Sequence, residues 1–295
     1  MSKATINGIR LHYQTIGSGP DLVMVHGLAA NLAFWFLNIV PRLARDFRVT
    51  VFDLRGHGES DMPPAGYTTG DMADDLDGLL DHLGCTAVHL VGHSFGGAVA
   101  LHFALRHPDR VKTLTLADAR VHGLQPLPSD TDDGFWEERQ RALRDKGIEI
   151  PDGTPRVLFT MFEELGADLP WAVGQDARGG RLGAWNPNSR SGRKWIALRE
   201  TTTVARDVRH VGELDAAAIR GLVPPVLLLY GEQSRCLPTC RELERLLPEA
   251  RTERISDAGH FFPVHVPGRF VERLQDFLAV RSEVGGALAA ECDEA

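Results

Sequence analysis

Ser94 stands in the stretch Gly92-His-Ser-Phe-Gly96, which fits the G-x-S-x-G pattern of a nucleophilic serine. The apolar run Val88–Val91 before it predicts a buried strand, and the apolar spacing over residues 98–105 predicts a helix after it. Glycines flank such a serine because side chains at those positions would collide with the backbone of the sharp turn. The turn exposes the hydroxyl at a helix N-terminus, where backbone N–H groups stabilise a developing anion. The pattern therefore predicts a serine that attacks a carbonyl carbon.

His260 is the residue that we expect to activate this serine. It follows Gly259 in the loop after Arg251–Ile255, the last and weakest of the predicted strands. A histidine in that loop can reach the serine hydroxyl and take its proton as general base. The chain contains twelve histidines, so position along the chain rather than residue type selects His260. Its place near the end of the chain also fits the order serine, acid, histidine.

Strands that alternate with helices must position these two residues. A hairpin is predicted for residues 4–16, because Asn7-Gly8 is a two-residue turn signal between two alternating segments. Six later runs also predict strands: Asp21–Gly27, Arg48–Asp53, Val88–Gly92, Val111–Ala117, Val226–Gly231 and Arg251–Ile255. Apolar stripes at helical spacing separate most of these runs, which is typical of parallel β-α-β units. The sequence therefore predicts an α/β fold.

One long stretch interrupts this alternation. Residues 121–219 contain helical fragments but no strand run, and they hold four of the five tryptophans. We interpret this stretch as a helical cap over the ends of the strands, with Trp136 and Trp171 lining a substrate pocket. Residues 1–120 and 220–282 are then expected to form the core. The small and acidic residues 283–295 are expected to be a disordered tail.

The composition and charge of the chain indicate which classes of binding partner to expect. The chain has 295 residues, 43% of them hydrophobic, and a formal net charge of -8. An acidic balance disfavours nucleic acid and membrane as partners, since both attract basic surfaces. Neither a secretory leader nor a membrane span is visible, and four scattered cysteines are typical of reduced thiols, so we expect a cytoplasmic protein. No metal-ligand spacing of cysteine or histidine occurs, so no metal and no cofactor are expected.

The chain resembles the α/β-hydrolase superfamily, in its capped esterase, lipase-like and haloperoxidase-like branch. The resemblance runs from about Ile6 to Ala279 and rests on four motifs: His26-Gly27, Asp53-Leu-Arg-Gly-His57-Gly-Glu-Ser60, Gly92-His-Ser94-Phe-Gly-Gly97 and Gly259-His260. It implies a mostly parallel eight-stranded sheet with helices on both faces. It also implies an oxyanion hole formed by the backbone N–H groups of Leu28 and Phe95.

The acid of the predicted triad departs from the family pattern. Members of this family most often place an aspartate three residues after a glycine that ends the strand following the cap, but Ser234 occupies that position. Some members carry the acid after the preceding strand, where this chain has Asp118, and we take Asp118 as the acid. Glu232 is the alternative, and a site with no acid is a third possibility. We expect Asp118→Asn to be damaging, and Ser234→Ala and Glu232→Gln to be tolerated.

The residues together favour a serine hydrolase that cleaves a carboxylic ester of a small apolar or amphipathic substrate through an acyl-enzyme. A thioester, free or on an acyl carrier, or a lactone would react by the same steps. Epoxide hydrolases and haloalkane dehalogenases of the resembling families use aspartate where this chain has Ser94. Two alternatives stay open: a cofactor-free oxygenase or haloperoxidase-like enzyme, in which histidine deprotonates the substrate, and a non-catalytic ligand-binding protein.

Overall fold

A computed structural model describes residues 2–126 and 190–292, with a few isolated positions between 134 and 145. Eight strands form one sheet in the order β1-β2-β4-β3-β5-β6-β7-β8, which confirms the predicted α/β-hydrolase sheet. The strands are β1 (Ser2–Ile6), β2 (Ile9–Ile16), β3 (Asp21–Val25), β4 (Arg48–Phe52), β5 (Val88–His93), β6 (Val111–Ala117), β7 (Val226–Gly231) and β8 (Arg251–Ile255).

Strand direction decides where functional groups gather. The pairs β1–β2 and β2–β4 are antiparallel, whereas the strands from β4 to β8 run parallel to one another. Parallel strands bring all their carboxyl ends to one edge of the sheet, which is where ligands bind in such folds. The residues that follow β5, β6 and β8 therefore meet at this edge, although they are far apart in the sequence.

Helices cover both faces of the sheet. Those whose bounds lie in the described residues are α1 (Ala33–Phe36), α2 (Val40–Leu43), α3 (Thr69–His82), α4 (Phe95–Arg106), α5 (Arg190–Thr201), α6 (Val204–Asp207), α7 (Ala216–Arg220), α8 (Leu237–Leu246), α9 (Phe262–His265) and α10 (Pro267–Cys292), and a 3-10 turn spans Pro108–Arg110. None of these helices is both long and apolar enough to cross a membrane.

Side-chain alternation along β3 divides the core into two layers. Val23 and Val25 point to the face on which α3, α4 and α8 pack. Leu22 and Met24 point to the opposite face, against α1, α2 and α10. All four side chains are almost completely buried, as the unbroken apolar run in the sequence predicts for a strand covered on both sides.

Local signals in the sequence set several helix ends. Thr68 and Asp71 form a capping box at the start of α3: the Asp71 N–H donates to Oγ1 of Thr68 (3.1 Å), and the Thr68 N–H donates to Oδ2 of Asp71 (2.9 Å). Pro41 lies at the start of α2, so the segment around it divides into two short helices.

Residues 283–292, which were expected to belong to a disordered tail, continue α10 as far as Cys292. This end of the chain reads Ala287-Leu-Ala-Ala-Glu291, and these residue types are among the strongest helix formers. The small, acidic composition that suggested disorder is equally suited to an extended helix. Residues 293–295 lie outside the described residues.

The proposed cap, residues 121–219, is described only at its two ends, and the part from residue 190 onward is helical. There α5 lies on the loop after β4: Lys194 Nζ donates hydrogen bonds to the carbonyl oxygens of Gly58 (2.6 Å) and Ser60 (2.8 Å). Trp136 and Trp171, the predicted pocket residues, lie outside the described residues. The cap boundaries remain a prediction.

Candidate active site

Ser94 lies at the turn between β5 and α4, and its backbone is in a region that favours glycine, with a φ of 55°. A Cβ atom at Gly92 would lie 2.3 Å from the carbonyl oxygen of Gly96, and one at Gly96 would lie 2.3 Å from that of His26. Both glycines are therefore required by the close approach of the backbone. The turn presents the Ser94 side chain at the carboxyl edge of the sheet, as the sequence pattern predicts.

Ser94, His260 and Asp118 form one hydrogen-bonded chain across this edge. Oγ of Ser94 lies 3.0 Å from Nε2 of His260, and Nδ1 of His260 lies 2.7 Å from Oδ2 of Asp118. Asp118 is fully buried and His260 is 6% exposed, so water is largely excluded from this Ser94–His260–Asp118 relay. The arrangement matches the geometry in which a base takes the serine proton and a carboxylate fixes the tautomer of that base.

Asp118 directly follows β6, and its backbone also has a positive φ, of 50°. Its Oδ1 accepts a hydrogen bond from the Gly231 N–H (3.0 Å), and its Oδ2 accepts one from the hydroxyl of Ser234. The pKa of Asp118 is raised to about 7, because burial outweighs the hydrogen bonds from Ser234 and Gly231, which lower it. These donors therefore help to keep the carboxylate ionised, which is the state that stabilises a protonated His260.

The geometry favours Asp118 over Glu232 as the acid of the relay. Nδ1 of His260 is engaged by Asp118, and the side chain of Glu232 is exposed at the end of β7. Ser234, which we expected to be dispensable, instead contacts the acid directly. Ser234 stands where family members usually carry the acid, and its hydroxyl donates a hydrogen bond to Asp118, the acid of this relay.

Replacing Ser234 with alanine is expected to move the acidic limb of the pH profile of kcat/KM upward by roughly one pH unit, the effect of losing one hydrogen bond to a charged group. The pKa of Asp118 would rise further in the variant, and Asp118 must be ionised to support His260. Activity at neutral pH should fall and recover at higher pH. Glu232→Gln is the matched control, because its side chain is exposed, and a profile that moves equally in both variants would contradict this role.

Two contacts of His260 are not signalled by any motif. His93, the residue before Ser94, is buried, and burial lowers its pKa to about 3, so it is neutral. Its Nε2 donates to the backbone carbonyl of His260 (2.9 Å), and the two rings lie 4.7 Å apart. Sγ of Cys236 lies 3.5 Å from Nδ1 of His260. His93 therefore ties the nucleophile turn to the loop that carries the base.

Asp118, Cys236 and His260 also form the one grouping among the described residues whose donor atoms, all within 4.8 Å of one another, could hold a metal ion. The atoms concerned are the same ones that hydrogen-bond Asp118 to His260. A metal bound there would compete with the relay rather than add to it.

The two residues predicted for the oxyanion hole lie beside the nucleophile. Leu28 and Phe95 line the same pocket as Ser94. In the part of the chain that the structure describes, neither backbone N–H donates to another protein group. Two unengaged N–H groups next to Ser94 are what a tetrahedral oxyanion requires.

Asp53 and Arg55 brace the loop after β4 through buried hydrogen bonds. Asp53 accepts hydrogen bonds from the Leu32 N–H (2.7 Å) and from Nδ1 of His12 (2.7 Å). Arg55 forms a buried bidentate pair with Asp75, with both distances 2.6 Å. Asp53 and Arg55 therefore have a structural role, and neither of them lines the pocket beside Ser94.

His26 also has a structural role. Its Nδ1 donates to the carbonyl oxygen of Gly27 (2.7 Å), and its Nε2 accepts from the Leu54 N–H (3.1 Å). Burial lowers the pKa of His26, which fits a neutral ring with one donor and one acceptor nitrogen. The ring joins the ends of β3 and β4 and so fixes the loop that begins with Leu28.

A pocket opens beside Ser94. Most of its described lining is apolar, and the polar side chains in it are Ser94, Thr69, Arg120, His122 and His210. The lining residues are Leu28, Thr69, Ser94, Phe95, Ala98, Arg120, His122, Gly123, Val208, His210, Val211 and Leu214. The sequence did not reveal the polar lining, because these residues come from α3, from the segment after β6 and from the segment after α6.

Residues 20–264 match the family described as the alpha/beta hydrolase fold. The chain belongs to this family. Among relatives of this hydrolase, an uncharacterized protein of Mycobacterium tuberculosis (strain ATCC 25618 / H37Rv) is 39% identical over 296 residues, which cover 93% of this chain and 80% of that protein. The soluble epoxide hydrolase of Corynebacterium sp. (strain C12) is 43% identical over 116 residues, which cover 39% of this chain. That match spans only 40% of the epoxide hydrolase.

Among solved structures, this hydrolase is similar to a thermophilic esterase from Thermogutta terrifontis with malate bound. The TM-score is 0.68 and the identity is 26%, over 95% of this chain and 98% of the esterase. Relatives therefore include both epoxide hydrolases and esterases, so family membership alone does not decide which bond is cleaved.

Proposed function

We propose that this hydrolase cleaves the carboxylic ester bond of a small apolar or amphipathic molecule through an acyl-enzyme. The observation that supports this most strongly is the unbroken relay from Ser94 through His260 to Asp118, with distances of 3.0 Å and 2.7 Å. A thioester, free or on an acyl carrier, and a lactone contain the same acyl carbon and would react in the same way.

The proposed reaction has two halves. Nε2 of His260 takes the proton of Ser94 as Oγ attacks the acyl carbon, and the N–H groups of Leu28 and Phe95 bind the oxyanion. The protonated His260, stabilised by Asp118, gives its proton to the departing alcohol and leaves an acyl-serine. Water then attacks this ester, with His260 again as base, and releases the acid.

The identity of the nucleophile favours esters over epoxides. If Ser94 opened an epoxide, it would become an alkyl ether, which has no carbonyl carbon for water to attack. The enzyme would then stop after one turnover. A carboxylate nucleophile would instead give an ester that water can cleave, but the residue at this turn is Ser94. The similarity to epoxide hydrolases therefore supports a common scaffold rather than a common reaction.

Labelling with a fluorophosphonate tests this proposal directly. We expect one phosphonyl group to be added to the wild-type protein, and peptide mapping to place it on Ser94, because an activated serine attacks phosphorus as it attacks an acyl carbon. Ser94→Ala should not be labelled. Ser234 is a useful internal control, since it is also a buried serine near the relay but lacks contact with Nε2 of His260. Absence of labelling in the folded wild type, or labelling elsewhere, would contradict the proposal.

A further inference from the structure

A second hydrogen-bonded array, separate from the triad, reaches the Ser94 pocket. Oγ1 of Thr69, at the start of α3, lies 2.9 Å from Nδ1 of His102 on α4. Nε2 of His102 lies 3.2 Å from Oε2 of Glu213. Thr69 and His102 are 5% and 3% exposed, and Thr69 lines the pocket that contains Ser94. The mechanism described above uses none of these three residues.

The direction of each hydrogen bond in this array follows from the charges. Glu213 is ionised, because Arg106 donates to both of its oxygens, from Nε (2.9 Å) and from Nη2 (3.2 Å). Arg106 and His102 lower the pKa of Glu213 to about 2. An ionised carboxylate can only accept, so Nε2 of His102 carries the hydrogen.

The state of His102 then fixes the hydroxyl of Thr69. Burial lowers the pKa of His102, although Glu213 raises it, so the ring is neutral and carries a single hydrogen. With that hydrogen on Nε2, Nδ1 is an acceptor, and the Thr69 hydroxyl must donate to it. Any hydrogen bond between Oγ1 of Thr69 and a molecule in the pocket can therefore form only with Thr69 as the acceptor.

We propose that Thr69 is a specificity-determining residue, which accepts a hydrogen bond from a hydroxyl or amide N–H group of the substrate. The preferred substrates are then esters that carry such a donor, rather than simple alkyl esters. This inference rests on the proposed ester hydrolysis and narrows it to a substrate class. A substrate with a donor adds a second hydrogen bond to the Thr69 hydroxyl, which already donates to His102. A substrate without a donor cannot form this bond, so its kcat/KM is lower.

The experiment compares Thr69→Val with the wild type on matched pairs of esters. On the acyl side, 4-nitrophenyl butanoate is compared with the 2-hydroxy and 3-hydroxy analogues and with the N-acetylglycine ester. On the alcohol side, ethyl butanoate is compared with ethylene glycol monobutanoate. We expect Thr69→Val to lower kcat/KM roughly five- to tenfold for at least one donor-bearing ester, the effect of one net hydrogen bond. The matched plain ester should change less than about twofold.

Two variants separate specificity from structure. Thr69→Ser keeps the hydroxyl and should keep the preference. Thr113→Val removes a similar buried pair, since Oγ1 of Thr113 lies 2.9 Å from Nδ1 of His89, but Thr113 is outside the described lining of the pocket. It should therefore leave the preference unchanged. An equal loss on donor-bearing and plain esters in Thr69→Val, or the same change in Thr113→Val, would overturn the role of Thr69. If the wild type hydrolyses none of the esters, the proposed function itself fails.

Discussion

Replacing Ser94 with alanine is expected to lower ester turnover by about 10⁶-fold, the scale seen when the nucleophile of a serine hydrolase is removed. The variant keeps the pocket and the N–H groups of Leu28 and Phe95 but has no oxygen to form an acyl-enzyme. His260 then has no hydroxyl to deprotonate. The measurement is kcat/KM for 4-nitrophenyl butanoate, with circular dichroism to show that the variant is folded.

His260→Ala provides the comparison that separates ester hydrolysis from the alternative chemistry. For a hydrolase both variants should lose activity to a similar extent, because serine and histidine act as one unit. A cofactor-free oxygenase, in which histidine deprotonates the substrate, would lose its activity in His260→Ala and keep it in Ser94→Ala. Ester turnover that survives in Ser94→Ala would therefore exclude the proposed mechanism.

Replacing Asp118 with asparagine is expected to lower kcat by about 10⁴-fold, as in other triads that lose their carboxylate. Asparagine has nearly the shape of aspartate, but it cannot stabilise a protonated His260 and can hold the wrong tautomer through its NH₂ group. The measurement is kcat on the same ester, together with the rate of fluorophosphonate labelling at Ser94. Glu232→Gln is the control, and a larger loss in that variant than in Asp118→Asn would move the acid to Glu232.

The contact between Ser234 and Asp118 allows a sharper version of this experiment. The hydroxyl of Ser234 bonds to Oδ2 of Asp118, the same oxygen that accepts from His260. A carboxylate introduced at residue 234 would therefore lie close to Nδ1 of His260. We expect Ser234→Asp to restore part of the activity lost in Asp118→Asn. No gain in the double variant, with its fold intact, would mean that a carboxylate from this position does not reach the base productively.

Short-range patterns were sufficient to predict the frame of the site. Apolar runs identified the strands, and Gly92 and Gly96 marked the turn that carries Ser94, since each signal depends on neighbours within a few residues. The ends of parallel strands meet at one edge, so Asp118 and His260 could be placed near Ser94 before any distance was known.

Side-chain contacts between distant segments could not be predicted in this way. Ser234 lies 116 residues after Asp118, and His260 lies 167 residues after His93, so no local pattern links either pair. Each contact depends on which way a side chain leaves a loop, and packing sets that direction. The same reason explains why Glu232, two residues from Ser234, is exposed while Ser234 is buried.

The position of Asp118 has a consequence for exchanging substrate specificity between relatives. The proposed cap begins only three residues after this acid, and in between the Arg120 N–H donates to the carbonyl oxygen of Ser94 (3.1 Å). In a chimera that carries another cap, the first junction therefore lies next to the catalytic residues. The second junction, near residue 220, lies after the residues that line the Ser94 pocket. We expect grafts that retain Asp118–Arg120 to change mainly KM, and grafts that begin earlier to reduce kcat as well.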